Sequence, residues 1–117
     1  MSASFIIPPT ERARLLANGR LSAAGEELDP LPVVKLFMVD ADATWLLTEL
    51  DPDNPDIAFG LCDLGVDEPE LGYVSLAELA GFRGRLHLPV ERDEHFRPDK
   101  PLSAYARLAL AHSRIIT

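Results

Sequence analysis

The sequence predicts an α+β domain: a small, mainly antiparallel sheet packed by a C-terminal helix, with two further short helices. Three observations lead there. Between Val33 and Cys62, runs rich in β-branched and aromatic residues alternate with turns of Asp, Asn, Ala and Pro. Between Gly72 and Gly81, Ser75 and Glu78 form the S-x-x-E pattern of a capping box and a glycine follows, the signature of a short capped helix. From Ala104 to His112, apolar residues recur at helical spacing.

In chain order, Thr10 precedes Glu11–Ala17 and Asn18-Gly19 follows, which reads as a barely two-turn helix with a capping hydroxyl before it and a left-handed stop behind it. Ser22 to Pro32, polar and with two prolines, reads as a connection into the core. Val33–Val39 and Thr44–Leu50 form a hairpin across the Asp40–Ala43 turn, and Ile57–Cys62 extends it as a meander. Most positions on both faces of these strands are apolar, so helices or loops are expected over part of each face. Arg85–Val90 alternates, but Pro89 limits it to an edge strand. Ser103 is the expected cap of the last helix, and Ile115 and Ile116 lie beyond its end.

At 117 residues with 47% hydrophobic content, the chain fits one globular domain that can bury a core without staples. The lone Cys62 cannot form an internal disulfide, which fits a reducing compartment and predicts a cytoplasmic protein. Phe5-Ile6-Ile7 is too short for a signal peptide and no apolar run is long enough for a membrane span, so no membrane partner is expected.

Charge is the strongest compositional signal. The 60 residues from Ser22 to Gly81 hold fourteen Asp and Glu against one base, Lys35, whereas both flanks are mildly basic and the total is −8. A concentrated negative field favours basic proteins or cations over nucleic acid. The candidate partner-binding residues are Asp51, Asp53 and Asp56, in the turn before the third strand, and Asp67, Glu68 and Glu70, in the loop after it. A six-residue strand rises about 20 Å, so the two groups are expected at opposite ends of one strand. That separation argues against one metal cage and is compatible with parts of a phosphate-like track, since duplex DNA carries a charge every ~1.7 Å. Solvated turns that aid solubility account for the same residues.

The blocks Trp45–Glu49, Phe59-Gly60-Leu61, Glu70–Leu76, Leu88–Asp93 and Pro101-Leu102-Ser103 resemble, in order and spacing, a bacterial domain family of unknown function carried on plasmids and conjugative elements. The resemblance implies a setting in mobile DNA and carries no catalytic residues over.

No complete catalytic signature is present. In EF-hand register from Asp51 the sixth position is Asp56 instead of Gly and the twelfth is Cys62 instead of Glu, so a calcium loop is not expected. His87, Glu91 and His95 have the four-residue spacing of helical metal ligands, but Pro89 interrupts the helix this requires. Ser75 lacks the flanking glycines of a nucleophile elbow, and Cys62 lies in a predicted core strand. No glycine-rich phosphate loop is present, and no cofactor is predicted. Arg83, Arg85, Arg92 and Arg97 interleave with Glu91, Asp93, Glu94 and Asp99, which argues against direct nucleic-acid binding. Strand alternation puts Glu49 on the face of Trp45 and Leu47, where a carboxylate needs a cation such as Arg83 or Arg92.

Three functions follow. The leading one is a binding protein of a mobile element whose acidic middle occupies a basic, nucleic-acid-handling surface of a host defence protein, of anti-CRISPR or anti-restriction type. The alternatives are a small enzyme or enzyme accessory with Glu49, His87 and Arg92 in a cleft, and a structural partner subunit.

Overall fold

A computed structural model describes residues 7–117. It contains helix α1 (Pro9–Ala23), strands β1 (Val34–Met38), β2 (Thr44–Leu50), β3 (Ile57–Asp63) and β4 (Glu70–Ser75), helix α2 (Leu76–Gly81), strand β5 (Val90–Arg92) and helix α3 (Leu102–His112). The strands form one antiparallel sheet in the order β4-β3-β2-β1-β5. Most of the Phe5-Ile6-Ile7 run lies outside the described residues.

The sheet is covered on both faces, as its apolar strands require. On the first face, Leu15 of α1 and Leu79 and Ala80 of α2 pack with Leu36, Trp45, Leu47 and Ala58. On the second, Leu102, Tyr105 and Ala109 of α3 pack with Leu46 and Leu61.

A β-bulge divides β2. Leu47 pairs with Gly60 but Glu49 pairs with Phe59, so Thr48 is the extra residue. One inserted residue reverses the in–out alternation beyond it. Leu50 therefore joins the first-face core with Leu47, and Glu49 turns to the Phe59 side. The expectation that Glu49 shares a face with Trp45 and Leu47 is corrected by that bulge.

The bulge also explains α1. Asn18-Gly19 does not stop this helix, which continues to Ala23. Gly19 is buried against β2: a Cβ on it would lie 1.8 Å from the Leu50 carbonyl oxygen. Asn18 Nδ2 donates to the Thr48 carbonyl at 2.9 Å, partnering a polar group at the bulge. The pair that resembles a C-cap is a docking pair, and Pro8 stands at the N-cap with no side-chain cap bond.

Ser75 caps α2 as predicted, its Oγ accepting from the Glu78 amide at 3.2 Å. The segment before it is a strand beyond the predicted elements: Glu70–Ser75 is β4, paired with β3 along its whole length. The short edge strand near Pro89 is displaced to Val90–Arg92, because Arg85–Pro89 is a turn in which His87 has φ of 63° and only Arg83 and Pro89 form a bridge.

Ser103 is not the N-cap of α3. Pro101 holds that place, and the amide (2.9 Å) and hydroxyl of Ser103 both donate to the carboxylate of Asp29. Those bonds hold the Asp29 carboxyl below its ordinary 3.8. A depressed folded value means a contribution fully present above the ordinary value and lost as pH falls through the folded one. The stability difference between wild type and Asp29→Asn should be largest near neutrality and shrink toward zero below pH ~4, because protonated Asp resembles Asn. Urea titrations across that range check this, and a difference that persists undiminished in acid would refute it.

Candidate functional site

The six candidate acids stand at the two ends of β3. Asp51 and Asp53 are exposed in the β2–β3 turn, and Asp67 and Glu68 are exposed in the β3–β4 loop. Glu70 is exposed at the start of β4. The structure joins the groups by one continuous edge, since β4 runs between the two ends and, among the described residues, has a strand on only one side.

That edge is apolar at its centre. Leu71 and Tyr73 point to the second face, where they pair with Leu61 and Phe59, and remain 50% and 70% exposed. The Tyr73 and Phe59 rings pack with centroids 5.0 Å apart. Leu64 and Val66 in the adjoining loop are exposed too.

Asp56 differs from the other five. Its Oδ2 accepts from Ser75 Oγ at 2.6 Å, its Oδ1 from the Ala77 amide at 2.9 Å, and its own carbonyl from the Leu76 amide at 2.8 Å. It ties the β2–β3 turn to the start of α2, where a carboxylate also complements the helix dipole. Among the described residues, the ion pairs are Lys35–Asp93, Arg92–Glu94 and Lys100–Asp99, so no side-chain cation pairs with any of the six acids. Lys35, the one base of the acidic middle, lies 3.6 Å from Asp93 and donates to Thr117 Oγ1 at 2.8 Å.

The Glu49, His87 and Arg92 cleft is not assembled. Arg92 is level with Leu36 and Trp45 across the sheet, and Glu49 lies four residues further along β2, a separation of roughly 16 Å from standard strand spacings. The bulge moreover turns Glu49 to the opposite face. His87 sits in the turn before β5, and Arg92 pairs with Glu94 at 3.4 Å. Arg83 donates to the Ala80 and Phe82 carbonyls, closing the end of α2 instead of meeting Glu49. His87, Glu91 and His95 occupy a turn, β5 and the following turn, and among the described residues no group of three or more His, Cys, Asp or Glu could hold a metal ion.

Cys62 is half-buried on β3, and its thiol is pushed up to about 11, first by burial and then by the Glu70 carboxylate beside it. A raised thiol value disfavours the nucleophilic thiolate. Near pH 8 the folded protein should react with a thiol reagent roughly a hundredfold more slowly than the unfolded chain, the ratio of thiolate fractions for a two-unit displacement. Equal rates would show that the thiol is not suppressed.

The first face carries a groove of about 460 Å³ between β4 and α2. Trp45, Cys62 and the β4 residues Leu71 to Val74 line it from the sheet, and Leu79 and Phe82 from the helix side. A Cβ on Gly72 would meet nothing within 4 Å, so the missing side chain leaves that space open. Trp45 is 0% exposed and its Nε1 has no hydrogen-bond partner among the described residues. Sequence reasoning missed the groove because it missed β4, although Leu71-Gly72-Tyr73-Val74 carries a strand signal weakened by its glycine.

The comparisons with known proteins return one match. The model of a family described as "Protein of unknown function (DUF2958)" matches residues 6–116. No curated protein and no solved structure matches the chain.

Proposed function

The chain belongs to the DUF2958 family, whose description names no activity, and from its surface we propose that it is a binding protein whose docking surface is the β4 edge with the acidic loops at both ends. The observation that carries this is the exposure of Leu71 and Tyr73 on a strand that is the sheet's edge among the described residues, between Asp51 and Asp53 at one end and Asp67, Glu68 and Glu70 at the other. Exposed edges are ordinarily blunted by lysine, proline or a covering segment. An apolar, aromatic centre with a charged rim is the anatomy of a protein interface. The rim is acidic and, among the described residues, meets no side-chain cation, so the partner surface is basic.

In its finer form, the protein is an accessory of a mobile genetic element that occupies a basic, nucleic-acid-handling surface of a host defence protein. Support comes from the net charge of −8, from the resemblance to a plasmid-borne family, and from the spacing of the two acidic groups. Six residues of β4 separate them by about 20 Å, a length over which a duplex presents a run of phosphates.

The test is affinity capture at low and moderate salt with wild type, a five-site variant (D51N, D53N, D67N, E68Q, E70Q) and a Tyr73→Ser variant, repeated with duplex DNA as competitor. Asp56 is left intact because removing a helix-capping acceptor costs about 1 kcal/mol and would confound binding with folding. The expected result is a salt-sensitive partner that both variants lose and that DNA displaces. Capture unaffected by neutralisation and by DNA would sink the proposal.

A further inference from the structure

We propose that the groove between β4 and α2 is a binding site for a small amphipathic amine, one with a cationic head, an apolar body and a hydrogen-bond acceptor at its far end. The inference goes beyond the partner surface: the groove lies on the first face, although Leu64, Glu70, Leu71 and Tyr73 line it as well as belonging to that surface.

Three observations define the ligand. The charged residues lining the groove are Glu70 and Glu78, both acidic, so a bound head group is favoured as a cation. Its remaining lining includes Leu79, Phe82, Val74 and the open space above Gly72, which suits an aliphatic or aromatic body. Its volume of about 460 Å³ lies within the range of roughly 300–1,000 Å³ typical of small-molecule sites. Trp45 also lines the groove, and its buried indole N–H is a donor with no partner among the described residues. Such a donor is costly to leave unmet, and an acceptor on the ligand satisfies it.

Sheet register sets the length. Trp45 pairs with Cys62, and Cys62 pairs with Glu70, so indole and carboxylate stand on one face in one row across three adjacent strands. Two strand spacings amount to about 10 Å, the separation the ligand's acceptor and cation must approach. The Phe82 ring, 41% exposed with its centroid 6.3 Å from that of the indole, also lines the groove and moves toward solvent as the acceptor reaches Nε1.

The probe is N-(4-aminobutyl)benzamide, which has a carbonyl acceptor, a flexible spacer and a primary amine. N-butylbenzamide lacks the charge and 5-benzamidopentanoic acid reverses it. Trp45 is the only tryptophan, so the protein has a single indole N–H resonance to follow by ¹H–¹⁵N NMR. The expected result is a saturable shift of that resonance with the amine. The neutral analogue should bind roughly five- to tenfold more weakly, the effect of losing one or two partly exposed ion pairs, and the acid more weakly still. In a Glu70→Gln, Glu78→Gln double variant the preference for the amine should vanish while the fold persists, and Gly72→Leu, by filling the groove, should abolish the shift. If Gly72→Leu does not fold, the double variant still decides. No shift with the amine, equal binding of all three probes, or an indole shift that follows protein concentration alone, as when a second copy fills the groove, would each overturn the proposal.

Discussion

Gly60→Ala should destabilise the protein by roughly 3 kcal/mol or more, at or beyond the upper end of ordinary overpacking. A Cβ at this position would lie 1.9 Å from the Leu46 carbonyl oxygen and 2.9 Å from Leu47 Cα. These are backbone atoms of the central strand, so no side chain can rotate away. To relieve the contact, β3 must move from β2 just where Leu47 pairs with Gly60 and the ladder skips Thr48. Because small domains carry only about 5–15 kcal/mol of net stability, a loss of this size lowers the melting temperature by roughly 10 °C or more. Gly72→Ala is the internal control. Gly72 is the cross-strand partner of Gly60, but its missing Cβ faces open space, so the change should be within about 1 kcal/mol of neutral. Urea denaturation of the two variants checks the contrast. Equal effects would mean that the β2–β3 approach is looser than described.

Gly19→Ala should also lose about 3 kcal/mol, against the sign that helix propensity alone predicts. Replacing an interior helix glycine by alanine ordinarily gains about 1 kcal/mol. Here the added methyl would lie 1.8 Å from the Leu50 carbonyl oxygen, so α1 must lift from β2. Lifting would break the Asn18-to-Thr48 hydrogen bond and draw Leu15, now 0% exposed, out of the first-face core. Hydrogen exchange should therefore speed up through α1 and the end of β2 while α3, on the other face, is little changed. A Gly19→Ala protein as stable as wild type or more so would refute close docking, leaving propensity in charge.

Both predictions turn on the Thr48 bulge, which also decides what Glu49 can do. A strict two-residue period puts Glu49 under the first-face helices beside Trp45, in need of a cation. One extra residue turns it to the Phe59 side, where it is half-buried at the rim of the sheet and the need disappears. Gly60, an isolated glycine inside a strand pattern, was the available hint of a bulge or close approach, but it does not say which partner strand bulges.

Among the acids, position in the sequence was a poor guide to role. Among the described residues, Asp51, Asp53, Asp67, Glu68 and Glu70 have no cationic partner, whereas Asp56 is committed to the start of α2. Asp63 resembles another loop acid but is buried, accepting from the amides of Gly65 and Ile115, and so anchors the chain beyond α3 to the end of β3.

Features that arise between near neighbours are legible in the chain: the β1–β2–β3 meander, the Ser75 cap, the helical character of α3, and an acidic middle whose one base cannot offset it. Turn residues, capping hydroxyls and apolar periodicity act over a few residues, so they can be read in one dimension. The length of α1, the face of Glu49, the existence of β4 as an exposed edge, and which carboxylates are committed are set by packing between distant segments. Those outcomes depend on partners 21 residues away for Asp56 and Ala77, 52 for Asp63 and Ile115, and 74 for Asp29 and Ser103. Hydrogen bonds and steric contacts act through space, and a short-range pattern holds no record of which distant backbone atom will arrive within three ångströms.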